Sequence, residues 1–167
     1  RWDNAIVDLK PRFVNQLKTT LEYNMMDLSN TFWAGNEFRH FDFGTFQRVG
    51  FNIDRVVRQD TINGVYPFKD KLRNTRAYDA QAIDLDGHFI IANRDFPATT
   101  QADYSEVHFR LETGNPLGNK IYLTGKFSDW QLKPENQMAY HTETGTYQLT
   151  AVMKQGAYDY QYVALGA

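Results

Sequence analysis

The chain contains no cysteine, which excludes disulfides, thiolate metal sites, cysteine nucleophiles and thioether lipid anchors within it. Serine is scarce: Ser29, Ser105 and Ser128 are the only three, and none stands in the Gly-x-Ser-x-Gly setting of a nucleophile elbow. No apolar run approaches the roughly 18 residues that cross a bilayer as a helix. The formal net charge of −2 provides no overall cationic field to hold a phosphate backbone, which argues against general nucleic-acid binding. Walker loops, Gly-x-Gly-x-x-Gly and His-Glu-x-x-His are missing. The histidines His40, His88, His108 and His141 are too far apart for zinc-ligand spacing, so ordinary hydrogen-bonded roles are expected of them. No metal or cofactor is expected. The 20 carboxylates permit an acid–base pair in space, as a glycosidase needs, but no motif singles out two of them, and a non-enzymatic role is expected.

What the chain has is an ordinary globular balance, 42% hydrophobic and 23% charged, and an abundance of rings: 12 Phe, 10 Tyr and 3 Trp, or 15% of all residues. Aromatics mixed with Val, Ile and Thr, without long Ala/Leu/Glu/Lys stretches, favour strands over helices.

Ala5 to Leu9 reads as a short strand stopped by Lys10-Pro11. From Phe13 to Met25 the pattern is ambiguous. Phe13, Leu17 and Leu21 recur at helical spacing while Leu21, Tyr23 and Met25 alternate, and a loop followed by a strand is expected. In Asn36 to Phe43 both alternating faces, Phe38/His40/Asp42 and Arg39/Phe41/Phe43, are partly aromatic, as for a strand between two layers or at a domain edge. Gly50 to Gln59 gives another strand, with a bulge expected at Val56-Val57. From Asp60 to Gln81 the pattern dissolves into Asn, Gly, Pro and charge, which predicts a long solvated loop. Asp86-Gly87 before His88-Phe89-Ile90-Ile91 signals a hairpin with a type I′ turn, and Ala82-Ile83 would be its first arm. Asp84-x-Asp86-Gly87 also opens like a calcium loop, but the later oxygen ligands and terminal Glu are missing. Val107, Phe109 and Leu111 alternate with Glu106, His108 and Arg110 as a half-buried strand.

Glu112 to Asn119 holds two glycines and a proline, and charge thins out beyond it, which places a domain boundary there. The expected division is 1–113 and 114–167. Further strands are Lys120 to Thr124, Gly145 to Lys154 and Ala157 to Leu165, the last carrying Tyr158, Tyr160 and Tyr162 on one face.

The stretch Ile121-Tyr122-Leu123-Thr124-Gly125-Lys126-Phe127-Ser128-Asp129-Trp130, followed by Gly145-Thr146-Tyr147 and Gly156-Ala157-Tyr158-Asp159-Tyr160-Gln161-Tyr162-Val163, resembles the early-set immunoglobulin-like module of glycogen-binding and starch-branching proteins. In that family the tryptophan can stack on a sugar and a lysine can hydrogen-bond it. Trp130 matches the first, while Gln161 stands at the lysine position. Carbohydrate binding through Trp130 and Gln161 is the alternative function this implies.

A resemblance along nearly the whole chain rests on Arg1-Trp2-Asp3-Asn4-Ala5-Ile6, Leu9-Lys10-Pro11-Arg12-Phe13-Val14, Gly35-Asn36-Glu37-Phe38-Arg39-His40-Phe41-Asp42, Asp86-Gly87-His88-Phe89, Ala102-Asp103-Tyr104 with Val107-His108-Phe109, and Gly125 to Trp130. These blocks look like those of the plug protein family of the Bacteroidetes type IX secretion system. The resemblance implies an all-β chain of two immunoglobulin-like sandwiches, the second early-set, each lacking strands at the outer end of the chain, so that the chain is a section of a longer exported protein. It implies a periplasmic, outer-membrane-associated stopper that closes the mouth of a large β-barrel translocon and needs no reactive site. Candidate partner-contact residues are Arg39, Phe41, Lys69, Lys71, Arg73, Arg76 and Trp130, since arginines and aromatics dominate interface energetics.

Overall fold

The computed structural model describes residues 10–17, 19–23, 38–73, 85–96 and 101–166. The chain divides into two compact units, Arg1–Gly35 and Asn36–Ala167.

In the first unit, β1 (Phe13–Val14) and β2 (Leu21–Glu22) pair antiparallel, Phe13 opposite Glu22 and Val14 opposite Leu21. Asn15 closes the connection: its Oδ1 accepts the backbone N–H groups of Thr19 (2.8 Å) and Thr20 (3.1 Å). The alternating pattern thus prevails at Leu21, and Phe13–Val14 supplies a strand where a loop was expected. The helical spacing is unused, and Leu17 is 82% exposed. The strand expected at Ala5 to Leu9 lies outside the described residues.

In the second unit the strands are β3 (Arg39–Asp42), β4 (Ile53–Val57), β5 (Asn63–Pro67), β6 (Asp70–Lys71), β7 (Phe89–Ile91), β8 (Tyr104–Glu112), β9 (Lys120–Thr124), β10 (Ala139–His141), β11 (Thr146–Lys154) and β12 (Gly156–Leu165). One sheet runs β10-β11-β8-β5-β4, and β6 joins β8 further along the edge that β5 uses. The pairings of β5 and β6 with β8 are parallel, and the other described pairings are antiparallel. The second sheet is built on β12, with β3 on one side and β7 then β9 on the other.

The sequence pattern explains both layers. Along β8, Ser105, Val107, Phe109 and Leu111 are buried and the intervening residues are half-buried or exposed, as period-two alternation requires. On β12, Tyr158 and Tyr160 turn to the same interior as Phe41, Phe43 and Leu123, so the two sheets share one apolar core. Phe109 meets Phe41 edge-on at 5.4 Å and Tyr160 at 5.2 Å between ring centroids, which joins one sheet to the other. The chain is therefore all-β, with two sheets closing on a common core. On β3, His40, Phe41 and Asp42 are all buried. The second sheet is covered on both faces there, which accounts for the two-sided aromatic pattern of this segment.

Three expectations are corrected. The division at 113/114 is absent: β8 pairs with β11 over nine residue pairs, and β12 pairs with β3. The Gly- and Pro-rich stretch after Glu112 is instead the crossover from β8 in one sheet to β9 in the other. The loop expected from Asp60 contains β5 and β6. Gly64 and Pro67 hide the alternation of the former, and the latter is two residues long. The bulge of β4 falls between Ile53 and Arg55, not at Val56-Val57. The Asp86-Gly87 turn forms as expected, with φ of 51° and 78° and the N–H of His88 bonded to the Leu85 carbonyl at 2.9 Å. Its expected first arm, Ala82-Ile83, lies outside the described residues.

Candidate functional site

Three groups of polar side chains stand out, and each follows from the strand register. On the core side of the second sheet, Arg39 faces β6. Its Nη1 lies 2.6 Å from Asp70 Oδ1 and its Nη2 donates to the Lys71 carbonyl at 2.6 Å. The phenols of Tyr160 and Tyr162 both donate to Asp70 Oδ2 at 2.7 Å. Asp70 belongs to the first sheet and its three donors to the second, so one carboxylate fastens the two layers. Burial raises the Tyr160 and Tyr162 phenols well above the ordinary tyrosine range, and the neighbouring negative charge adds to this. Both remain proton donors to Asp70.

On the opposite side of the same sheet, His40 Nδ1 lies 2.7 Å from Asp159 Oδ1, and both side chains are almost wholly buried. A carboxylate accepts only, so the imidazole proton sits on Nδ1. Asp159 Oδ2 accepts the N–H groups of Leu85 (3.1 Å) and Gly87 (3.0 Å), which pins the Asp86-Gly87 turn onto β12. Gly87 is required there: a Cβ would stand 2.7 Å from the Phe38 ring and 3.0 Å from that of Trp130. Those two rings pack at 5.4 Å between centroids. The Gly125 to Trp130 motif forms a single 3-10 turn over Lys126–Ser128, and a Cβ on Gly125 would meet the Asp159 carbonyl at 2.8 Å. The motif glycine thus permits close approach to β12.

The third group lies on the outer face of the first sheet and was not foreseen. The Arg55 guanidinium sits 4.1 Å over the Tyr66 ring, Tyr66 stacks on His108 at 4.3 Å and 11°, and Thr150 Oγ1 lies 2.9 Å from His108 Nδ1. The row crosses β4, β5, β8 and β11. Burial lowers the His108 imidazole below its ordinary value; the Glu106 charge raises it, and Arg55 and Arg110 lower it. Asp54 Oδ2 serves both Arg55 (3.1 Å) and Arg110 (3.5 Å). Two signals in the sequence bear on this row: the outward position of His108 on a clear strand, and Tyr66 two residues after Gly64.

Of the seven candidate contact residues, the structure gathers Arg39, Lys69, Lys71 and Arg73 around β6. Arg39 is an interior link, whereas Lys69 and Lys71 are exposed. Lys69 Nζ holds Glu112 Oε1 at 2.7 Å, which keeps that carboxyl below its ordinary range. Arg73 is half-buried and its charge acts on Tyr160. Phe41 is corrected: it is fully buried, stacked with Phe43 and Tyr158, and cannot meet a partner. Trp130 is half-buried against Phe38, and Gln161 is half-buried opposite Thr124 in the β12–β9 ladder. Arg76 lies outside the described residues. Among the histidines, His40 and His108 are hydrogen-bonded through their side chains, and His88 and His141 are exposed. No group of three or more His, Asp or Glu that could hold a metal ion occurs among the described residues.

These features define an all-β protein whose polar side chains fasten sheet to sheet and turn to sheet. No protein-family model and no curated protein matches the chain. Among solved structures it is similar to the crystal structure of a hypothetical protein from Parabacteroides merdae ATCC 43184, with a TM-score of 0.76 and 30% identity. That match covers 99% of this chain and 41% of the other, so the chain spans about two fifths of the length of its structural neighbour.

Proposed function

We propose that the protein is a non-enzymatic plug of the type IX secretion system, periplasmic and bound to the outer membrane, which closes the periplasmic mouth of the β-barrel translocon. The accompanying fold reading is an immunoglobulin-like sandwich in which residues 120–165 are of the early-set kind. What supports this reading is the use made of the blocks that carry the family resemblance. Phe38 to Asp42, Asp86 to Phe89, Tyr104 to Phe109 and Gly125 to Trp130 supply the strands, the turn and the close approaches around β12. They are the residues a rigid stopper needs in order to hold its shape under load.

The test is co-purification of the full-length protein with the outer-membrane barrel, together with loss of the permeability barrier when the protein is deleted. Failure of the protein to associate with the barrel in either detergent or native membranes overturns the reading. Strong binding on a glycan array, lost in Trp130→Ala with the fold intact, would favour carbohydrate recognition instead.

A further inference from the structure

We propose that Asp86-Gly87 is a site of spontaneous backbone isomerisation, held closed in the intact fold by Asp159 and opened when the turn lifts from β12. The reaction needs only water, and the site is independent of the plug reading.

The chemistry is that of an aspartate followed by a glycine. The Gly87 nitrogen, its proton passed to water, attacks Cγ of the Asp86 carboxyl in its protonated form. The N–Cγ bond forms, the Cγ–OH bond breaks, and the hydroxyl leaves as water on taking up a proton, which closes a five-membered succinimide. Water then adds to one of the two ring carbonyls. Addition at Cγ restores aspartate. Addition at the Asp86 carbonyl carbon breaks its bond to the Gly87 nitrogen and leaves the chain running through Cγ, as isoaspartate. Glycine favours the attack because it has no Cβ to obstruct the approach and lets the backbone reach the ring geometry.

The sequence holds two pairs of this kind, Asn63-Gly64 and Asp86-Gly87, and the fold treats them differently. β5 is an inner strand, in which buried Gly64 lies opposite Val57 of β4 and Glu106 of β8. The Gly64 nitrogen can turn onto the Asn63 side chain only if this segment leaves both ladders. Asp86 is exposed, at the corner of a turn with φ of 51°, so water reaches its carboxyl in the folded protein. What restrains this pair is the Gly87 N–H, donated to Asp159 Oδ2 at 3.0 Å beside that of Leu85 at 3.1 Å, and the rings of Phe38 and Trp130 packed where a Cβ would stand. A nitrogen that donates to a buried carboxylate keeps its proton and its direction.

Lifting one turn costs less than parting a sheet. The fold therefore inverts the order of the free chain, in which Asn-Gly, with its amide leaving as ammonia, reacts before Asp-Gly. Isoaspartate also lengthens the backbone by one atom between Asp86 and Gly87. The Gly87 N–H then no longer meets Asp159 while Leu85 does, so an isomerised turn does not pin again.

The experiment keeps the full-length protein, native or unfolded in urea, at physiological pH and temperature for several weeks. Isoaspartate and deamidation are mapped on its peptides by mass spectrometry and by isoaspartyl methyltransferase labelling. In the native protein isoaspartate should appear at Asp86 while Asn63 stays intact, and in urea Asn63 should react first. Asp159→Ala should speed isomerisation at Asp86 by about tenfold, since the reaction follows the population of the open turn. Tyr162→Phe, which weakens the link between sheets and leaves the turn pinned, should not change the rate, and Asp86→Glu, whose ring would be six-membered, should abolish the signal. Deamidation of Asn63 ahead of Asp86 in the native wild type would overturn the assignment whether or not any variant folds. An equal rate at Asp86 in the wild type and in folded Asp159→Ala would overturn the part given to Asp159.

Discussion

Removing the Asp70 carboxylate tests whether one side chain holds the two sheets together. Asp70 and Arg39 are each only 11% exposed, and the carboxylate accepts from Arg39 at 2.6 Å and from two tyrosines at 2.7 Å. Breaking a buried pair from one side costs about 3–5 kcal/mol. Leaving a buried hydroxyl unsatisfied costs about 1–3 kcal/mol. These terms overlap, because in Asp70→Ala the same local collapse relieves all three donors, and we expect about 4 kcal/mol in total. At about 2–4 °C per kcal/mol for a body of this size, the melting temperature should fall by about 10 °C. In urea the midpoint should drop by about 2 M with an unchanged slope. Asp70→Asn keeps the shape and one acceptor, and should cost about half as much. Tyr162→Phe should cost about 1 kcal/mol in the wild type and nothing in the Asp70→Ala background. An Asp70→Ala loss below about 1 kcal/mol, or strictly additive costs in the double variant, would show that the clamp carries no load.

Gly87→Ala should destabilise by about 2 kcal/mol more than Gly114→Ala in thermal melts: both glycines have positive φ, but only Gly87 faces rings where a Cβ would stand. Asp159→Ala removes both acceptor oxygens and leaves the donors of His40, Leu85 and Gly87 unpaired. A loss of about 3 kcal/mol is expected, with faster hydrogen exchange at the Leu85 and Gly87 amides, and unchanged exchange there would remove Asp159 from its pinning role. Burial raises the phenols of Tyr158, Tyr160 and Tyr162 above the unfolded value of 10.0. Their contribution to stability is therefore complete below pH 10 and is lost as pH rises beyond it. Phenolate absorbance from these residues should appear only together with unfolding, and Tyr158→Phe should flatten the fall of stability by about 1.4 kcal/mol per pH unit at most.

Much of the strand content was legible because burial on one face leaves a period of two. The segment around Val107 follows that rule throughout, whereas those around Ile121 and Tyr160 are buried on consecutive residues and were marked by their apolar and aromatic content; these and the segment around Tyr147 lie within a residue or two of the strands expected. The Asp86-Gly87 turn was legible because few residue pairs tolerate two positive φ angles. What escaped is whatever depends on pairing across long separations. A two-residue strand such as β6 has no period of its own, and exists because Asp70 meets Arg39, Tyr160 and Tyr162. A glycine-rich crossover and a linker between domains read alike, since both need the same backbone freedom; only the ladder from β8 to β11 tells them apart. Phe41 looked available because alternation identifies two faces without saying whether both are covered. Asp159, set between tyrosines, carried a visible sign that the second face was polar, but not that His40 and a turn would meet it there.

The arrangement of the second sheet also makes its assembly depend on one strand. Every described ladder in that sheet includes β12: β3 and β7 pair with its first half and β9 with its second. The β4–β5 hairpin can close early, and β5 can join β8 before the rest of the chain is made. β3, β7 and β9 must wait, with their aromatic faces uncovered, until residues 156–165 have been synthesised. A ribosome-bound or truncated chain ending before β12 would then hold half a sandwich, with Phe41 and Leu123 exposed to any chaperone or aggregation partner at hand. Arrival of β12 would be the event that closes the second sheet of this unit.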